Sequence, residues 1–231
     1  MMITETKPRK ARGDTRLRLI TAAEKLFGEK GIHGVTLKDI NAAAGQRNES
    51  ALHYHFGAKP ALVEAILILR TRDIDLSRME RVEALLANGQ EKDLNAVLKA
   101  MFLPMMELLG NENGVRFIRF LAQVLNDPDF DLPDMALRGN LPGVTKANGL
   151  LVAALGDITP EIIIQRQRFM VEMVVSSLAI WSRHNDSVNE TVARELFLAN
   201  LLDSIAGFLT AKVSEETLEL LKKSIRKKEK K

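Results

Sequence analysis

Six residues with hydrogen-bonding side chains, Arg47, Asn48, Glu49, Ser50, His53 and Tyr54, crowd into eight consecutive positions of this chain. Such a row could transfer protons, hold a metal or read another polar surface. The four histidines are His33, His53, His55 and His184, and no two have the i, i+4 spacing of a helical metal pair. Cysteine is absent, which excludes disulfides, iron–sulfur clusters, thiolate zinc sites and a cysteine nucleophile. No Gly-rich phosphate loop, Gly-x-Ser-x-Gly turn or compact carboxylate cluster occurs. Asp127, Asp129, Asp131 and Asp134 are spaced somewhat like a calcium loop, but its glycine and closing glutamate are missing and prolines interrupt it. The expectation is a chain that is no enzyme and needs no metal or cofactor. Surface recognition is left.

The elements that must present this row are helices. Gly and Pro punctuate segments that otherwise repeat at helical period. Asp14 or Thr15 caps a first helix running to about Lys30, with Leu19, Ile20, Ala23, Leu26 and Phe27 on one face. Gly31-Ile32-His33-Gly34 stops it. Thr36 and Asp39 have the spacing of a capping box for a second helix, with Leu37, Ile40 and Ala44 as its inner stripe and Gly45 at its end. A short third helix spans about Asn48 to His55, with Asn48 suited to the N-cap. After Gly57, Lys59-Pro60 opens a long fourth helix, with proline where it forfeits no hydrogen bond. Further helices are expected at about 92–109, 114–126, 142–155, 160–184 and 190–211, with a tail helix at 214–227. Strand signals and solenoid repeats are absent. The fold class is all-α, with about nine or ten helices.

Two short helices joined by a tight glycine-containing turn are a helix-turn-helix, whose second helix enters the DNA major groove. On the third helix Leu52, His55 and Phe56 share one face, and Glu49, Ser50, His53 and Tyr54 share another. The first face packs inward. A helix built only for packing has no use for the second, whereas one that meets base edges and phosphates does.

The stretch from Thr36 to Leu62, TLKDINAAAGQRNESALHYHFGAKPAL, closely resembles the DNA-binding signature of TetR-family transcriptional regulators. The elements that carry the resemblance are Thr36, Ala43-Ala44-Gly45, Tyr54-His55-Phe56 and Gly57-Ala58-Lys59. It extends over about fifty residues, Thr15 to Leu62. Two departures stand out. Ten residues separate Gly45 from Phe56 where the commoner family spacing is nine, which lengthens the turn at Gln46-Arg47. Ala58 replaces the usual serine. The resemblance implies that Thr36, Tyr54 and Lys59 hold phosphates, and that Arg47, Glu49, Ser50 and His53 read base edges. Arg47 has two readings, a guanine contact or a further phosphate contact from the longer turn. Glu49 either accepts from a cytosine amino group or favours the helix N-terminus electrostatically. His55 is read as a packed residue beneath the helix. Lys7, Arg9, Lys10 and Arg12 form either a minor-groove arm or a source of diffuse attraction.

The resemblance also implies an N-terminal helix-turn-helix domain over residues 1–60, joined through the long fourth helix to an effector-binding and dimerisation domain over 61–231. A palindromic DNA site needs two recognition helices about 34–36 Å apart, which favours a homodimer. Phe169, Met170, Val174 and Leu178, with Leu198, Leu202, Ile205 and Leu209, are the expected interface. Met101, Phe102, Met105, Phe117, Phe120, Leu121 and Met173 are the expected lining of a pocket for a small hydrophobic effector, methionine being adaptable in shape; a plain core is the competing reading. Arg116 and Arg119 stand near that segment and suit either surface ion pairs or an effector's acid group. Expected function is a ligand-responsive repressor on a palindromic operator; the competing reading is a constitutive or nucleoid-associated DNA-binding protein without an effector.

Charge distribution fits a head and a body. Residues 1–70 carry twelve Lys/Arg against seven Asp/Glu, residues 71–221 fourteen against twenty-two, and the last ten seven against one. A basic head on an acidic body suits a head that meets a polyanion; the basic C-terminus reads as a solvated tail. No apolar run reaches the ~18 residues of a membrane span, and the first twelve residues lack a signal peptide's apolar stretch. A cytoplasmic protein is expected.

Overall fold

The structure is a computed structural model that describes residues 9–46, 50–130, 139–156, 158–184 and 191–228, with side chains between 14 and 226. The described residues form ten α-helices and one 3-10 turn, without a strand. In chain order they are α1 (Arg9–Lys30), α2 (Leu37–Ala43), α3 (Ala51–Phe56), α4 (Lys59–Ala87), α5 (Leu94–Met106), the turn Glu107–Gly110, α6 (Glu112–Leu125), α7 (Pro142–Ala154), α8 (Pro160–His184), α9 (Thr191–Thr210) and α10 (Glu215–Lys228). The fold is all-α, as expected. No single described helix is long and apolar enough to cross a membrane.

Local signals set most helix ends. Thr36 closes a capping box with Asp39, and Asp93 and Asn111 accept from first-turn N–H groups of α5 and α6. Past α2, the N–H of Gly45 bonds the carbonyl of Ala42 and that of Gln46 the carbonyl of Asn41, which is a Schellman motif with Gly45 at φ +67. The first helix departs from expectation: it begins at Arg9, not at Asp14 or Thr15. Arg9, Lys10 and Arg12 therefore belong to a helix and not to an extended arm, because Arg-Lys-Ala-Arg after Pro8 is a run of strong helix formers. Lys7 lies outside the described residues.

The first three helices and the start of α4 enclose a small core of Leu19, Ile20, Ala23, Phe27, Ile40, Leu52, Leu62 and Ile66, all buried. Each such side chain larger than alanine contributes about 1.5–3 kcal/mol when fully buried. Glu24 is buried on α1 and is held by Arg70 of α4, whose Nε reaches both carboxylate oxygens at 2.9 Å. Behind this head α4 lies on α5 and α7, α6 packs between α1 and α8, and α9 covers α5 and α8.

The α1–α6 seam is close. Phe27 stacks on Phe120 with ring centroids 5.9 Å apart. A Cβ on Gly28 would lie 2.9 Å from the carbonyl oxygen of Arg116, so glycine is what lets the two backbones meet. The Gln123 side chain accepts from the Ile32 N–H at 2.9 Å and donates to the Phe27 carbonyl at 3.0 Å. His33 Nε2 and Asp127 Oδ2 stand 2.7 Å apart.

A second cluster ties α4 to the body. Leu141, at the N-cap of α7, has no capping side chain, and Pro142 has no N–H. The next two donors, the N–H groups of Gly143 and Val144, bond Asp75 of α4 at 2.8 Å each. Asp75 thus caps α7 from a different helix. Arg78 donates from Nη1 to Asp75 and from Nε to the Met101 carbonyl of α5, again at 2.8 Å. Pro104, inside α5, has no N–H to give the Ala100 carbonyl one residue before Met101. Both charged side chains are buried. Desolvation pulls the Arg78 pKa below its ordinary value, and Asp75 opposes that shift. Asp75→Ala is expected to cost about 3–5 kcal/mol, since Arg78 stays buried without its counter-charge. Urea unfolding followed by circular dichroism measures it, and an unchanged stability would contradict this role.

Candidate nucleic-acid interface

Helix α3 has six residues, too few to fold alone. Its orientation comes from Leu52, which is 0% exposed in the head core, with half-buried His55 and Phe56 beside it. Those three are the inward face expected from the sequence. Ser50, His53 and Tyr54 are exposed, Tyr54 to 68%. The outward face is real for those three. The helix starts later than expected: Ser50, not Asn48, holds the N-cap position, and its carbonyl accepts the Tyr54 N–H at 2.9 Å. Arg47, Asn48 and Glu49 lie outside the described residues.

Two expected phosphate donors are engaged inside the protein. The Thr36 hydroxyl donates to Asp39 Oδ2 at 2.6 Å and accepts from the Asp39 N–H at 3.1 Å. The hydroxyl bond first, and then a bond from the Thr36 backbone N–H to the same oxygen at 2.9 Å, hold the Asp39 carboxyl below the usual carboxylate range. Thr36 is therefore a helix cap, and it can donate to a phosphate only by releasing Asp39. Lys59 is half-buried, and its Nζ donates to the Ile32 carbonyl at 2.9 Å. That bond takes one of three ammonium donors, and it fixes the start of α4 to the α1–α2 loop. The Thr36 engagement is the capping box already expected from its spacing to Asp39; the Lys59 contact leaves no local trace, because Ile32 lies twenty-seven residues away.

Arg16 was not among the sequence candidates. Its exposed guanidinium lies 5.1 Å over the Phe56 ring, at the C-terminal end of α3. It braces the recognition helix by a cation–π contact and adds positive charge on that side. A run of exposed charges on α1 gives no sequence signal of which one meets an aromatic ring.

The candidate pocket residues are interior. Met101, Phe102, Met105, Phe117, Phe120 and Leu121 are buried, and Met173 is half-buried against the same core. Phe120 is committed to Phe27. Arg116 pairs with Glu112 at 2.9 Å, while Arg119 Nε donates to the Ser182 hydroxyl at 3.1 Å.

The expected interface needs correction. Met170, Val174, Leu178, Leu202, Ile205 and Leu209 are buried within a single protomer, so they form core and present no surface to a partner. Phe169 remains exposed and Leu198 half-buried. Helices α8 and α9 carry apolar residues on more than one face, and periodicity does not say which face turns inward. The pair runs antiparallel, with Phe169 near Phe208 at one end and Trp181 stacked on Phe197 at the other. Ile164, Phe169, Ile180, Val192 and Leu196 are its exposed apolar side chains, together with Val171.

A short helix presented outward after a glycine turn, on an all-helical body, defines a helix-turn-helix DNA-binding regulator. Residues 19–66 match the sequence model described as "Bacterial regulatory proteins, tetR family", and residues 99–211 match "Tetracyclin repressor-like, C-terminal domain". The chain belongs to the TetR family of transcription regulators. Similar solved structures include a TetR-family regulator from Shewanella sp. PV-4 (TM-score 0.57, 16% identity, covering 82% of this chain and 97% of that one). NalD, the secondary repressor of the MexAB-OprM multidrug efflux pump in Pseudomonas aeruginosa, gives 0.53 at 20% identity, over 84% and 96%. SmeT, the repressor of the Stenotrophomonas maltophilia multidrug efflux pump SmeDEF, gives 0.51 at 21%, over 83% and 91%. At these identities the likeness is one of fold. No curated protein matches the sequence.

Tyr54→Phe is expected to weaken binding to every duplex by a similar factor, as loss of a phosphate contact does, and His53→Ala to change the preferred base at one position, by about 1–3 kcal/mol. Fluorescence anisotropy on a panel of single-base duplex variants separates the two. A uniform loss for His53→Ala would remove it from base reading.

Proposed function

We propose that this regulator binds a palindromic operator as a homodimer, represses transcription there, and is released by a small hydrophobic effector. The observation that carries the DNA half is the outward row Ser50, His53 and Tyr54, fixed by fully buried Leu52. In this reading residues 1–60 are the DNA-binding head and residues 61–231 the effector-binding and dimerisation domain. Ser50 and His53, with Arg47 and Glu49, read bases; Tyr54 and Lys59 hold phosphates; Thr36 supports the frame as the cap of α2. Repression is the usual outcome in the family, and the descriptions of NalD and SmeT both carry the word repressor.

The dimer face is assigned to the exposed apolar side chains of α8 and α9, Phe169, Ile180, Val192 and Leu196, with Leu198 at its margin. An apolar group of this kind on a helix pair is an association surface by preference. Two-fold pairing there sets the distance between the two α3 helices.

The effector changes that distance by binding one arrangement of the body more tightly than the other. Two helices carry the change to the head. Helix α4 is continuous from the head into the body and is pinned by Glu24–Arg70 and by Asp75 on α7. Helix α6 touches the head directly through Phe120, Gln123 and the Gly28 approach. Met101, Phe102, Met105, Phe117, Leu121 and Met173 are the residues proposed to line the effector site.

A second reading, a constitutive DNA-binding protein of the same fold, draws support from the burial of those same side chains. Thermal shift of the full chain against a panel of hydrophobic metabolites separates the two, because a ligand at 100 times its dissociation constant adds about 2.7 kcal/mol. A hit that also lowers duplex affinity supports release by an effector, and an empty panel supports the constitutive reading. The dimer is tested separately by sedimentation equilibrium. Leu196→Glu is expected to raise the dimer dissociation constant at least tenfold, and a chain that sediments as a monomer at every concentration would overturn the assembly.

A further inference from the structure

Helix α10 encodes itself. Ser214 accepts the Thr217 N–H at 3.2 Å, Glu215 and Glu216 occupy the first turn, and Lys222, Lys223 and Arg226 follow in the second half. That order of charges suits the helix dipole. The dipole does not explain the apolar residues between them. Leu218, Leu221 and Ile225 fall on one side at helical spacing; Leu218 and Leu221 are half-buried and Ile225 is exposed, and none of the three belongs to the main hydrophobic core. Helix α9 leads into α10 with a bend of 62°, so α10 follows directly on the helix pair assigned above to the dimer interface.

The polar flanks of the stripe suggest what covers it. Glu215 and Lys222 are seven residues apart and lie along the same flank; the other flank carries Thr217 and Ser224, which are uncharged. Place two copies of this helix antiparallel. Leu218 of each then faces Leu221 of the other, and Glu215 of each faces Lys222 of the other. Two-fold symmetry makes every contact twice. A parallel pair would instead set acidic half against acidic half and basic against basic, which costs stability. We propose that α10 docks antiparallel on α10 of a second copy of this chain, with Leu218 on Leu221 and Glu215 on Lys222 across the two-fold axis. This rests on the dimer reading above and adds a second, peripheral contact to it.

The chain has no cysteine, so one introduced thiol reports without background. Leu221→Cys in the full-length protein, treated with a short bismaleimide, is expected to give a covalent dimer in high yield. Leu218→Cys serves as a second reporter on the same stripe. Leu220→Cys, on the opposite side of the helix, is expected to stay uncrosslinked. Adding Lys222→Glu to Leu221→Cys is expected to cut the yield at least fivefold, and Glu215→Lys together with Lys222→Glu to restore it. Sedimentation equilibrium accompanies each variant. A chain that sediments as a dimer yet crosslinks at neither Leu218→Cys nor Leu221→Cys, crosslinks equally at Leu220→Cys, or shows no charge dependence overturns the α10 pairing and leaves the main interface standing. A wild-type monomer overturns both.

Discussion

Backbone meeting backbone between Gly28 of α1 and Arg116 of α6 is the contact on which the arrangement of this protein depends. No side chain fits between them, so the head cannot slide on the body without first separating from it. The neighbouring contacts make separation costly: an aromatic stack between Phe27 and Phe120, and a Gln123 amide that satisfies one N–H and one carbonyl of the head at once. Breaking that amide contact would leave the Ile32 N–H without its acceptor, at about 1–3 kcal/mol if it stays buried, while the Phe27 carbonyl would keep the Gly31 N–H. Helix α6 also packs on α8. A path of rigid contacts therefore runs from the proposed dimer face through α6 and α1 to the helix that presents Ser50, His53 and Tyr54.

Helix α4 forms a parallel connection, and its buried charges define it. Glu24–Arg70 binds it to the head, and Asp75–Arg78 binds it to α5 and α7. Buried ion pairs add little net stability over apolar side chains of the same volume, but removing one partner is severely unfavourable. They act as register marks more than as glue. Asp75 illustrates this, since it caps a helix that begins sixty-seven residues later and whose own sequence lacks a cap. A shift of α7 against α4 must break those bonds together, which favours two discrete arrangements over a continuum.

What the sequence discloses and what it hides follow the range of each interaction. Thr36 with Asp39, Gly45 after Ala44, and Leu52 opposite His53 and Tyr54 are local patterns; the helix-turn-helix and its outward face were legible from them. Helix ends between residues 94 and 228 also followed their glycines, prolines and caps closely. The bond from Lys59 to Ile32 was not legible because Ile32 lies on a distant loop, whereas the capping box that engages the Thr36 hydroxyl is itself one of the local patterns. Arg16 on Phe56 and Gln123 on the α1–α2 loop leave no periodic trace. On α8 and α9 the apolar residues were visible but their inward and outward faces were not, because a helix buried on one side and paired on another is apolar nearly all round. Met170, Leu202, Ile205 and Leu209 turned inward, and Leu196 turned out.

The central claim is that a symmetric pair of these chains reads duplex DNA with the outward face of α3. Selection of bound sequences from a random duplex library by the full-length protein tests it most directly. An enriched inverted repeat, with half-site centres one helical turn or a multiple of it apart and with its consensus altered by His53→Ala, is the result expected. Enrichment of nothing, or of a motif without two-fold symmetry that His53→Ala leaves unchanged, would contradict it.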